Sequence, residues 1–423
     1  MRCILKLIED NIKNYEFIIG ESNLVKVNFY TAYKNLDYDD FVSVLELKSE
    51  DAKIYLQECY AQTKNVEWCI FLYKTKIEGD NNINVSTTHV NRIDFVIDTL
   101  PTPMLIYLKN SEHSFPELNF KVKIEESLNG STSKIISIAS LKSDTIENFE
   151  TLFFDILELF FICYGFYPYI KDEIVYIGNK QIKITRLQKT IFMPNKSFAH
   201  WSTIIKHDLK LDYTLLPYIT LKKKNPIIIL MLTEAVHSTN VTVNVLLTFL
   251  LQAIEGFVRT FKKKEQKKFD ECLKKNLLNC IFNSLDNFEI PEKYDINFGD
   301  IINSIKGLLG NINTKDFKEC FLLAVNTTKS TISIFKQEYK QGLLEKDSQF
   351  LKKIANTRNQ FSHITPKENT FENIYEIIKI KSKCELLLRV LILEQLGSKV
   401  EIVEIKNIVK NIDDNYLKNC QKV

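Results

Sequence analysis

Near residue 205 the apolar residues of this chain change their spacing, and that change restricts the available folds more than any other feature. Before it, short runs alternate or are rich in β-branched and aromatic residues: FVSVLEL (41–47), EWCIFLYKTKI (67–77), NFKVKI (119–124) and KIISIAS (134–140). Such runs suit strands, whose successive side chains point to opposite faces. After it, apolar residues return every three or four positions, as one face of a helix requires. The pattern predicts an α+β protein, with a β-rich domain over 1–205 followed by an all-α helical bundle over 206–423. At 423 residues the chain can support two or three separate cores.

Turn and cap residues sharpen this outline. Asn129-Gly130, in SLNGSTS, tolerates positive φ at both positions and predicts a hairpin; Gly178-Asn179 predicts another between EIVYI and QIKI. One helix interrupts the strands. Asp144 is expected to cap it with Glu147 closing a capping box, Ile146, Phe149, Phe153, Ile156 and Phe160 form its apolar face, and Gly165 ends it. In the second half Leu247, Leu250, Ile254, Phe257 and Phe261 mark one helix, Phe317 to Val325 a second, and Phe350, Ile354, Phe361 and Ile364 a third. A fourth is expected from Asn369, with Glu372 as its capping-box partner, through Ile374, Ile378 and Leu388 to Gly397. Pro366 separates the last two.

Composition adds exclusions. With 45% hydrophobic and 26% charged residues the chain reads as soluble and globular, and a net charge of +3 is too small to argue for nucleic acid. Local positive charge gathers in KKK at 222–224 and KKKEQKK at 262–268, each most simply a solvated face. Nine scattered cysteines, with no C-x-x-C and no histidine at ligand spacing, give no metal site and suit free thiols in a reducing compartment; neither metal nor cofactor is expected. The start, MRCILKLIEDNIKN, has no secretory pattern, and LFFDILELFFICYGF is short and broken by Asp155 and Glu158, so the expected location is cytoplasmic. No P-loop, G-x-G-x-x-G or G-x-S-x-G occurs.

One stretch gathers chemistry. TRNQFSHIT, 357–365, packs Arg358, Asn359, Ser362 and His363 into six residues of a chain with only six arginines and six histidines. On a helix Asn359 and His363 share a face, whereas Arg358 is turned from His363 by about 140°. The plainest explanation is structural: His363 caps the helix C-terminus and Arg358 covers an apolar edge.

The sequence R-N-x-x-x-H at a helix end, before a short loop and a long amphipathic helix, resembles the signature of the HEPN superfamily of helical-bundle ribonucleases. A β-rich region followed by LLTFLLQAIEGFVRTF and then IANTRNQFSH resembles the ApeA-like anti-phage defence proteins. The resemblance implies that Arg358 and His363 are a catalytic pair joined by Asn359, with Ser362 and Glu255 in supporting roles; Glu255 and Arg259 are equally an ordinary i, i+4 helix pair. It implies a metal-independent endoribonuclease of abortive infection that cuts host RNA, tRNA among the candidates. The nucleophile would be the RNA's own 2′-hydroxyl, leaving 2′,3′-cyclic phosphate and 5′-hydroxyl ends. His363 would transfer the proton, Arg358 would hold the phosphate, and the single motif per chain implies a homodimer. Lys262, Lys263, Lys264, Lys267 and Lys268 would guide RNA, and the β-rich domain would sense a phage-derived trigger. Two rivals are a non-catalytic HEPN module that binds RNA or mediates dimerisation, and a purely structural helical dimer.

Overall fold

The computed structural model describes the strands between Arg2 and Glu78 as backbone, and most of residues 87–184, 203–284 and 315–418 with side chains. The chain divides into two compact units, Met1–Pro217 and Tyr218–Val423. The fold is α+β, with the strands and one long helix in the first part of the chain and the remaining helices after.

In the first unit all paired strands are antiparallel. Strands β1 (Arg2–Lys6), β2 (Lys13–Ile19), β3 (Leu24–Asn28), β4 (Phe41–Lys48), β5 (Lys53–Lys64) and β6 (Trp68–Leu72) pair in the order β4-β1-β2-β3-β6-β5, and a β4–β5 pairing joins the two ends. Strand β7 (Thr75–Glu78) links β5 to a six-stranded sheet made of β8 (His89–Asp98), β9 (Ser111–Phe115), β10 (Phe120–Glu126), β11 (Lys134–Thr145), β12 (Tyr169–Ile177) and β13 (Lys180–Arg186). Their order is β13-β12-β8-β11-β10-β9. Asn129-Gly130 and Gly178-Asn179 lie outside the described residues; the strands flanking each pair antiparallel, β10 with β11 and β12 with β13.

Helix α1 (Ile146–Tyr164) packs on β8 and β11. Ile146, Phe149, Phe153, Ile156 and Phe160 are all fully buried, as their spacing predicts. Phe153 stacks on Phe95 with centroids 3.8 Å apart, and Phe149 meets Phe120 edge-on at 5.0 Å. Each such ring contributes about 1.5–3 kcal/mol by burial. The N-cap is Thr145, which accepts from the Asn148 amide, and not the expected Asp144. Asp144 accepts instead from the Asn148 side chain at 2.6 Å and the Thr145 amide at 2.8 Å. Gly165 ends the helix at φ 71°, a left-handed conformation in which a side chain would be strained.

The remaining helices are α2 (Leu211–Lys224), α3 (Pro226–His237), α4 (Val243–Phe261), α5 (Glu271–Asp286), α6 (Phe317–Val325), α7 (Lys329–Ile334), α8 (Lys336–Lys340), α9 (Gln349–His363), α10 (Ile374–Gln395) and α11 (Ile402–Cys420). Helix α4 is long and apolar enough to cross a membrane, but in the second unit it is the central helix, packed against α3, α6, α9 and α10. Its Leu247, Leu250, Ile254 and Phe257 are fully buried.

Helix α10 departs from expectation at its start. It begins after Asn373, whose side chain accepts from the amides of Tyr375 and Glu376, whereas Asn369 sits in a left-handed turn at φ 59°. Its first turns bury Ile377, Ile380 and Cys384, while Ile374 and Ile378 are exposed. Glu372, Ile364 and Pro366 lie outside the described residues.

Candidate active site

Two helices distant in sequence build the site. Helix α4 is fixed by the buried stripe that includes Ile254 and Phe257, which leaves Glu255 on its flank with a side chain only 12% exposed. Helix α9 is fixed by Leu351, Ile354 and Thr357, all buried; the Thr357 hydroxyl accepts from the Phe371 amide at 3.4 Å and so ties the returning chain to the helix. Arg358 follows Thr357 and is carried to the border of the core.

There Arg358 Nη2 donates to Glu255 Oε2 at 2.8 Å. The other Glu255 oxygen accepts from Arg259 Nε at 3.0 Å and Nη2 at 2.8 Å. The i, i+4 pair read from the sequence is therefore present, but it occupies half of the carboxylate. Arg259 Nη2 also donates to the Lys315 carbonyl at 3.2 Å, which connects the cluster to the segment just before α6. The first residue of α6, Phe317, places its ring 5.6 Å from the Arg358 guanidinium, within cation–π range. That helix start is held by a reciprocal cap: the Glu319 amide donates to Asp316 Oδ1, and the Asp316 amide to Glu319 Oε2, both at 2.9 Å.

Two guanidinium groups share one carboxylate, which leaves an excess positive charge in a partly desolvated place where it acts strongly on an anion. Arg358 Nη1 donates to Asn359 Oδ1 at 3.0 Å, so the Asn359 amide nitrogen is left as a donor. Arg358 Nε–H is buried and has no acceptor among the described residues. A phosphate oxygen could supply one. Buried beside the cluster, the Cys320 thiol is pushed above its ordinary pKa, chiefly by desolvation, and behaves as a packing group.

Of the other sequence-selected residues, His363 is the last residue of α9, preceded by Ser362. The helix sets the His363 backbone one turn beyond Asn359; the side chains of Ser362 and His363 lie outside the described residues. Lys262 follows α4 immediately and is half-buried, and Lys267 is exposed; Lys263, Lys264 and Lys268 lie outside the described residues. No three His, Cys, Asp or Glu side chains are grouped for a metal among the described residues. Phe317 and the Lys315 carbonyl carried no sequence signal as site components, because only the packing of α6 against α4 and α9 brings them in.

Residues 250–401 match a family model described as Apea-like HEPN. Neither a curated protein nor a solved structure matches significantly. The matched segment runs from within α4 to the start of α11 and contains Glu255, Arg259, Arg358, Asn359 and His363. With strands before it and the helical bundle around it, this segment is an Apea-like HEPN domain, the family that the helical unit resembles.

Proposed function

We propose that the protein is a metal-independent endoribonuclease that cuts host RNA during phage infection, with tRNA the first substrate to test. The observation that carries this reading is the Glu255–Arg358 pair at 2.8 Å within the matched HEPN segment. It supports a guanidinium held in one orientation at a polar border, as stabilising a phosphate in its transition state requires. In this reading Arg358 binds the scissile phosphate, Glu255 orients Arg358, and His363 exchanges the proton of the 2′-hydroxyl or of the leaving 5′-oxygen. Asn359 and Ser362 assist. The products are a 2′,3′-cyclic phosphate and a 5′-hydroxyl.

In-line cleavage uses both a base and an acid, and one motif offers one histidine. A homodimer through the helical unit, with two motifs facing one cleft, meets that need. Lys262, Lys263, Lys264, Lys267 and Lys268 would then draw RNA toward the cleft. The β-rich region, 1–205, senses a phage-derived trigger or restrains the helical region, 206–423, and the protein acts in the cytoplasm.

The test is incubation of the purified protein with total RNA in EDTA, with the cut ends mapped. Cleavage that persists and leaves cyclic phosphates is the expected result; activity abolished by EDTA and restored by magnesium contradicts it. One observation favours a second reading. Arg358 already has an internal carboxylate partner, which suits a non-catalytic HEPN module whose arginine serves folding, RNA binding or dimerisation. That reading predicts RNA binding or dimerisation without cleavage.

A further inference from the structure

A pocket of about 280 Å³ lies in the helical unit among α8, α10, α11 and the start of α9, and none of its lining residues belongs to the Glu255–Arg358 cluster. Phe350 and Tyr416 give it apolar walls, and Glu338, Glu376, Lys379 and Asp413 give it charge. The charges do not cancel. Lys383, whose side chain is fully buried, donates to Glu338 Oε1 at 2.7 Å and lies 3.2 Å from Asp413 Oδ1; Lys379 lies 3.1 Å from that same oxygen. Two ammonium groups thus offset Glu338 and Asp413, and Glu376 makes no ion pair among the described residues.

A second observation concerns Glu338 itself. The residue is only 5% exposed, yet its Oε2 is buried without a hydrogen-bond partner among the described residues. A buried carboxylate oxygen without a donor is costly, and native interiors rarely leave one. The pocket therefore presents one carboxylate oxygen, Glu338 Oε2, without a donor and a second carboxylate, Glu376, without an ion pair among the described residues, with an aromatic lining suited to methylene groups. An anion would be repelled by both. A metal ion would need a convergence of oxygen ligands, and no three acidic, histidine or cysteine side chains converge closely enough to hold one among the described residues.

We propose that this pocket binds a small aliphatic diamine, one ammonium donating to Glu338 Oε2 and the other paired with Glu376. A volume at or below the lower end for ligand sites fits a short chain rather than a ring system.

The experiment is calorimetric titration of the full chain with putrescine, with 1,4-butanediol as the uncharged counterpart. Saturable binding of putrescine and none of the diol is expected. Glu376→Gln leaves Lys379 and Lys383 with their partners, so it should fold normally and weaken putrescine by about tenfold. Glu338→Gln should weaken binding at least as much, and Glu376→Gln decides the matter if the loss of a partner for buried Lys383 prevents folding. No saturable putrescine binding at low millimolar concentration, equal binding of the diol, or unchanged affinity in Glu376→Gln would each overturn the proposal.

Discussion

Glu255 and Arg358, 103 positions apart, meet at 2.8 Å where α4 and α9 pack together. Both side chains are largely shielded from water, 12% and 21% exposed, so removal of either partner leaves the other charge poorly solvated. Because Glu255 uses separate oxygens for Arg259 and Arg358, both guanidiniums depend on one carboxylate.

Glu255→Gln should separate orientation from charge. An amide has one acceptor oxygen where the carboxylate has two, so one arginine loses its partner. The expected result is a stability loss of about 1–3 kcal/mol and a fall in RNA cleavage of at least about tenfold, read by thermal melting and end-labelled RNA. Unchanged cleavage would remove Glu255 from the account.

Arg358→Lys keeps the charge and loses the planar fork. An ammonium cannot bridge Glu255 and Asn359 while presenting a further N–H in the same plane. Cleavage should fall by about 10²-fold. A lysine variant with normal activity would favour a purely structural arginine.

Dilution tests the composite site. Light scattering should report a dimer, and specific activity should fall as the protein is diluted below its dimer dissociation constant. A monomer that is fully active at every concentration would contradict a shared cleft.

Glu394, on α10, gives a pH-dependent prediction. Burial raises its pKa, opposed by the Thr328 hydroxyl, which donates to it at 2.7 Å, by Ser330 and by the charge of Lys262. A folded pKa above the unfolded value means that its contribution to stability is complete below the unfolded pKa and is lost as pH rises through the folded one. Glu394→Gln, which can still accept from Thr328, should therefore gain stability relative to the parent between about pH 5 and about pH 7.5. Melting curves at the two pH values check the sign, and a constant difference would contradict it.

Much of this was legible in the sequence where a local rule decides. Phe317–Val325 is helical as its pattern predicts, and Gly165 ends α1 because a left-handed residue is needed there. Local rules also failed where two residues offered the same chemistry. Asp144 and Thr145 are both competent caps, as are Asn369 and Asn373, and only the packed start of each helix selects between them. The sequence leaves the buried face of α10 open, because Ile374, Ile377, Ile378 and Ile380 allow two registers in its first turns, and the structure buries Ile377 and Ile380. At the site, the motif and the Glu255–Arg259 spacing were readable. The contact of Glu255 with Arg358, and the ring of Phe317 near it, depend on tertiary packing that no spacing rule encodes.

The ribonuclease assignment rests most directly on His363, the last residue of α9. The decisive measurement is RNA cleavage by His363→Ala, with its melting temperature recorded beside the parent's. A loss of about 10²-fold or more, with stability within about 1 kcal/mol, is the predicted result for a proton-transfer group at a helix end. A His363→Ala protein that cleaves RNA as fast as the parent would contradict the assignment.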